Sequence, residues 1–256
     1  MGILDTIAPA SKTVESINAL VYGDSGVGKT YFAGSGYEKG STDLLIAIEH
    51  GTVSAANAGS EVNVLKINTW DEFMEAIEAI VDDPHRFGWV IVDSLTKLQD
   101  LIWKDVLDTA VGKNPTRSPY KRELQEYGEA QLRFRSVIER LNSSDANVLY
   151  TALSVLATDE ESNEFKMPSI HGQKGDLAAW TCAQMDFVGN IRVLRKDGQL
   201  FRAFTFSKSP EIFAKDRFGV FTKSVKNLSL AKFTDTLLAA GKTDNAEQAT
   251  PTKKEQ

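Results

Sequence analysis

The stretch "INALVYGDSGVGKTYF", residues 17–32, decides the fold. Its apolar first part reads as a short buried strand, and the strand runs into a loop where Gly23, Gly28, Lys29 and Thr30 satisfy the spacing G-x-x-x-x-G-K-[ST]. A strand, a glycine-rich loop and a helix in that order make a phosphate cradle. Backbone N–H groups converge on phosphate oxygens, the lysine reaches the β- and γ-phosphates, and the hydroxyl ligates Mg²⁺. The expected nucleotide-binding residues are Gly23, Asp24, Ser25, Gly26, Val27, Gly28, Lys29, Thr30 and Tyr31. Lys29 is also expected to act in catalysis and Thr30 to hold the metal, with ATP and Mg²⁺ as the ligands.

Working outward, the runs "DLLIAI" (43–48), "VNVLKI" (62–67), "WVIVD" (89–93) and "NVLYTAL" (147–153) are short, nearly continuous and separated by helical patterns. That is how strands covered by helices on both faces look, so the expected class is α/β with a mostly parallel sheet. "TWDEFMEAIEAIVDD" carries a capping box, Thr69 with Glu72, and places Phe73, Ala76, Ile77 and Ile80 on one helix face. "YKRELQEYGEAQLRFRSVIERL" predicts a second helix, with Leu124, Tyr127, Gln131, Phe134, Ile138 and Leu141 along its apolar face. From residue 184 onward two β-rich runs flank Asp197-Gly198, which predicts a hairpin and an antiparallel end to the sheet.

Hydrolysis needs a second carboxylate near Mg²⁺ and a group that orients or deprotonates water. In "WVIVDSLTKL" four apolar residues lead into Asp93, whose carboxylate is expected at the C-terminal sheet edge as a metal-associated group. The alternative for Asp93 is to cap the following helix, a role Ser94 can take instead. Glu49, in "LLIAIEHGT", ends the strand after the loop helix and is the candidate for water activation; its alternative is a solvated strand-end carboxylate.

The chain has 256 residues, a net charge of -6 and one cysteine, Cys182. The length suits one large α/β domain with a tail, and the acidic balance argues against a uniformly basic nucleic-acid coat. A single cysteine excludes an intramolecular disulfide and reads as a small buried side chain. No apolar run reaches about 18 residues, so no membrane span and a cytoplasmic location are expected. The polar end "GKTDNAEQATPTKKEQ" predicts a disordered tail over 241–256.

At "GDSGVGKT", "AIEHG" and "VIVDS" the sequence resembles the RecA-type recombinase ATPases, which carry these elements in the same order. With its length and the string "AKDRFG" at 214–219, it is similar in particular to the short RecA-like ATPases of bacteriophages, the Sak group of single-strand annealing and recombination proteins. The resemblance implies a RecA-like ATPase domain over 17–240 behind a short extension, 1–16, with Glu49 as the catalytic base and Asp93 as the Mg²⁺-associated carboxylate. It also implies a polar sensor after the next strand, for which Thr151 and Ser154 stand where relatives carry glutamine or histidine. Thr151 has the alternative of an ordinary strand residue. A cation donated across a protomer interface is implied as well, with Lys208, Lys215 and Arg217 as the set, in a homo-oligomeric ring or filament.

Single-stranded DNA needs cations along its phosphates and aromatic platforms for bases. "GKNPTRSPYKR" offers Lys113, Arg117, Tyr120, Lys121 and Arg122 where RecA-like proteins carry a first DNA loop, and Lys174 follows later; a solvated connection is the alternative. Between them, "TDEESNEFK" concentrates acids and reads as a hairpin tip turned away from DNA. The expected activity is ATP hydrolysis coupled to annealing or recombination of single-stranded DNA, with a single-strand binding protein as a further partner. The rivals are an ATP-dependent switch or loader for a protein partner and a helicase-type motor.

Overall fold

The computed structural model describes residues 16–36, 42–48, 61–172 and 176–247, with side chains described up to residue 240. The phosphate-loop strand β1 (Asn18–Gly23) leads through the loop into helix α1 (Lys29–Ala33). Next come β2 (Leu44–Ala47), β3 (Asn63–Lys66), α2 (Trp70–Asp82), β4 (Val90–Asp93), α3 (Leu95–Lys113) and α4 (Leu124–Asn142). The long strand β5 (Val148–Thr158) turns back into β6 (Glu164–Pro168), and α5 (Asp176–Ala183) leads to the hairpin β7 (Phe187–Lys196) and β8 (Gln199–Thr205). Two short strands, β9 (Lys215–Asp216) and β10 (Val225–Lys226), and helix α6 (Leu230–Glu247) complete the described chain.

The ten described strands join one sheet, ordered β10-β8-β7-β1-β5-β4-β2-β3, with β6 added to β5 and β9 to β7. The strands from β7 across to β3 pair in parallel, and β8, β10, β6 and β9 pair antiparallel. This is the expected α/β class: a mostly parallel sheet with helices on both faces and antiparallel strands at one edge. The edge hairpin turns at Asp197 (φ 51°) and Gly198 (φ 79°), both left-handed, as a two-residue turn matched to strand twist requires.

Alternation along β1 divides the core into two layers. Leu20 and Tyr22 face one layer with α2, α3, α4 and α5, while Ala19 and Val21 face the other with α1 and α6. The second layer is rich in phenylalanine: Phe233 of α6 packs against Phe187, Phe206 and Phe221, with ring centroids 5.2–5.5 Å apart. Cys182 is buried, and burial pushes its thiol up to about 12. Helix α2 buries Phe73, Ala76, Ile77 and Ile80 behind a complete Thr69–Glu72 capping box, as its sequence requires.

Two departures have physical causes. Strand β3 is the sheet edge and its residues are exposed, so its apolar run does not mark a strand covered on both faces. In α4 the burial begins later than the periodicity predicts: Ala130, Phe134, Val137, Ile138 and Leu141 are buried, whereas Leu124 is 78% exposed and Tyr127 is also exposed. The first turn lies beyond the core, where an ion pair from Glu126 to Arg117 replaces apolar packing. Among the described residues no helix is long and apolar enough to cross a membrane.

Candidate nucleotide site

The loop between β1 and α1 depends on backbone conformations that its glycines supply. A Cβ on Gly23 would lie 2.5 Å from the carbonyl oxygen of Ile191, so the approach of β1 to β7 excludes a side chain there. Gly26 (φ 76°) and Gly28 (φ 103°) are left-handed, and a Cβ on Gly28 would collide with Nε of Arg202. Lys29 reaches back across the loop and donates from Nζ to the carbonyl oxygens of Gly23 and Asp24, each at 3.0 Å.

Asp93 ends β4 with a buried carboxylate. Oγ1 of Thr30 donates to its Oδ2 at 2.7 Å, and Oγ1 of Thr151, from β5 next door, donates to its Oδ1. Ser94 caps α3 by accepting from the Lys97 N–H at 3.4 Å, so the helix cap does not fall to Asp93. The loop hydroxyl and the strand-end carboxylate are thereby in contact, with a strand residue holding the second carboxylate oxygen.

Ser154 meets the loop at another point. Its hydroxyl donates to Asp24 Oδ1, while Nζ of Lys166, on β6, lies 2.8 Å from Asp24 Oδ2. The Lys166 hydrogen bond, followed by that of Ser154, holds the Asp24 carboxyl below the usual carboxylate range. Both residues expected as sensors therefore touch the site, Thr151 at Asp93 and Ser154 at the loop. Glu49 and Lys174 lie outside the described residues. Strand β2 ends level with β4: Ala47 is in register with Asp93 and the Ile48 N–H donates to the Asp93 carbonyl at 3.0 Å.

The cations expected to act on a neighbouring subunit are away from this loop. Asp216 pairs with Phe187, which pairs with Ala19 at the start of β1, so Lys215 and its neighbours sit toward the opposite end of that strand. Lys215 donates to the carbonyls of Ala183 at 3.0 Å and Met185 at 2.5 Å beyond α5, and burial lowers its pKa. Arg217 pairs with Asp186 at 2.8 Å, and Lys208 lines a separate surface hollow with Phe206 and Asp216.

The basic connection between α3 and α4 is partly consumed by the fold. Arg117 is largely covered beside Glu126, its side chain 12% exposed, and also donates to the Lys121 carbonyl at 2.6 Å. Arg122 stacks over the Trp103 ring at 4.2 Å. Tyr120, 92% exposed, stands out from the same connection. The acidic stretch is the turn of the β5–β6 hairpin, where the Asp159 carboxylate accepts from the N–H groups of Glu161 and Asn163.

One residue at the loop has no motif to announce it. Arg202 of β8 donates from Nε to the Val27 carbonyl at 3.0 Å and lies over the Tyr31 ring at 4.7 Å. It stands 175 residues from Val27, and the alternating strand pattern around it marks only a hairpin.

The sequence family described as an AAA domain matches residues 15–218. The chain belongs to the AAA domain family. The matched segment contains the G-x-x-x-x-G-K-[ST] spacing at Gly23–Thr30, and nucleotide binding, typically with Mg²⁺, is what such an ATPase family implies. Among solved structures, a KaiC-like protein from the hyperthermophilic archaeon Pyrococcus horikoshii OT3 aligns at 14% identity, over 83% of this chain and 86% of that one, with a TM-score of 0.44. No curated protein matches the sequence.

Proposed function

We propose that the protein is a Mg²⁺-dependent ATPase whose turnover is coupled to single-stranded DNA, in annealing or recombination of the bacteriophage type. The observation that carries the ATPase part is the 2.7 Å contact between Thr30 and Asp93 beside Lys29. A loop hydroxyl and a buried carboxylate in contact are a donor set suited to a hard cation with oxygen ligands. Mg²⁺ held there would supply charge neutralisation on the β- and γ-phosphate oxygens. The chain's own residues do the rest. The loop backbone and Lys29 hold the triphosphate, Thr151 fixes the Asp93 carboxylate, and Glu49 accepts a proton from the attacking water.

The polymer part is supported by Lys113, Tyr120 and Lys121 at the surface of the α3–α4 connection. A head-to-tail ring or filament belongs to the same proposal, supported by Lys208 and Arg217 lying toward the far end of β1 from the loop. Arg117 and Arg122, which serve the fold instead, favour the rival reading of a nucleotide-dependent switch for a protein partner.

The test is steady-state ATP hydrolysis by the wild type, Lys29→Ala and Glu49→Gln, with and without single-stranded DNA at controlled salt. Turnover that rises with DNA, vanishes in Lys29→Ala, and is lost in Glu49→Gln with ATP binding intact supports the proposal. Slow turnover indifferent to DNA and unchanged in Glu49→Gln selects the switch.

A further inference from the structure

Beside the phosphate loop, on the side of β7 and β8, lies a hollow of about 500 Å³ lined by Tyr31, Val193, Leu200, Phe201, Arg202 and Asn227 among others. We propose that this hollow holds the nucleobase and ribose of the nucleotide, with the Arg202–Tyr31 pair as its inner wall. The proposal rests on the phosphate-loop reading above and adds the end of the ligand that the loop motif leaves unspecified.

Continuity is the first argument. Tyr31 directly follows Thr30, and Arg202 is tied to the loop through the Val27 carbonyl at 3.0 Å, so the hollow begins where the phosphate cradle ends. Size is the second, since small-molecule sites occupy about 300–1,000 Å³. Chemistry is the third. The lining combines aromatic and apolar faces with an amide, two serine hydroxyls and a guanidinium, and contains no carboxylate to repel an anionic ligand. Val193 and Leu200 present apolar surface on the hairpin, Leu200 being 63% exposed, and a flat heterocycle would cover it. Arg202 is preorganised: one hydrogen bond fixes Nε, and the Tyr31 ring at 4.7 Å supports the guanidinium plane.

The experiment is calorimetric titration of the full chain, in Mg²⁺, with ATP and separately with inorganic tripolyphosphate, which carries the phosphates without a base. The proteins are the wild type, Tyr31→Ala, Leu200→Gln and Lys29→Ala. Loss of a stacking ring is expected to weaken ATP about tenfold in Tyr31→Ala, and Leu200→Gln about threefold, while tripolyphosphate stays within about twofold of wild type in both. Neither change alters charge, and Leu200 contributes little to the core, so a general loss of folding is not confounded with the effect; melting curves check this. ATP affinity unchanged in both variants, or parallel losses for both ligands, would overturn the base site while leaving the phosphate loop standing. Lys29→Ala should lose both ligands; wild-type affinity for both in that variant would overturn the phosphate-loop reading and the base site with it.

Discussion

Asp24 places a carboxylate inside a loop built for anions, and the structure shows how the fold accommodates it: Lys166 and Ser154 hold both oxygens. Removing Lys166 leaves that charge facing the triphosphate. Lys166→Ala should weaken ATP binding by up to about fivefold, a range typical of an exposed ion pair, and Asp24→Asn in the same background should restore it. The double-mutant cycle in titration calorimetry checks the coupling. The folded pKa of Asp24 is depressed, so the pair is complete above the ordinary carboxylate value of about 4 and is lost only as pH falls through the lowered one. ATP affinity should therefore show no step from Asp24 between about pH 5 and 8, and wild type and Asp24→Asn should give profiles of the same shape there. At Asp93, Thr151→Val removes a hydroxyl that donates to a buried carboxylate. A loss of about 1.5–3 kcal/mol in urea unfolding is expected, with turnover reduced as the carboxylate loses its orientation.

At the scale of elements, α2 and α6 are secured differently. The cap of α2 is local, so Thr69→Ala should cost about 1 kcal/mol in urea unfolding. Helix α6 is held by the phenylalanine layer, and Phe233→Ala should cost about 3–5 kcal/mol because Phe187, Phe206 and Phe221 all lose a ring neighbour. The start of α4 joins a local cap, the Glu123 N–H donating to the Glu126 carboxylate at 2.8 Å, to an ion pair across the connection. Arg117 holds the Glu126 carboxyl below its usual range, so this pair stabilises the α3–α4 connection above the ordinary glutamate value and ceases to do so as pH falls through the lowered one. Glu126→Gln should accelerate hydrogen exchange across residues 114–123 at neutral pH while leaving the core of α4 protected.

For the whole molecule, a net charge of -6 means that the proposed DNA binding would have to come from a local patch. If Lys113 and Lys121 each meet a phosphate, replacing both by alanine should flatten the dependence of log K on log salt for single-stranded DNA by about 1.4. An unchanged slope would remove the α3–α4 connection from the DNA surface. The same measurement bears on the internal use of Arg117 and Arg122, since cations engaged with Glu126 and Trp103 contribute little to counterion release.

The sequence alone determined what depends on neighbours in the chain. The β1 run and its loop, the Thr69–Glu72 box, the Asp197-Gly198 turn and the placement of Asp93 at a strand end all rest on interactions within a few residues, so spacing and residue type specify them. Family membership adds that this loop lies within an ATPase-type domain matched over residues 15–218. The tertiary structure decided which polar groups meet across the sheet. Lys166 against Asp24, Thr151 against Asp93 and Arg202 against Val27 join residues 58 to 175 positions apart, and the chain order of strands says nothing of the spatial order that brings them together. It also decided which apparent surface cations are surface at all: Arg117 found a buried carboxylate and Lys215 the carbonyls beyond a helix end, because a buried polar group left unpaired costs more than its local sequence can reveal.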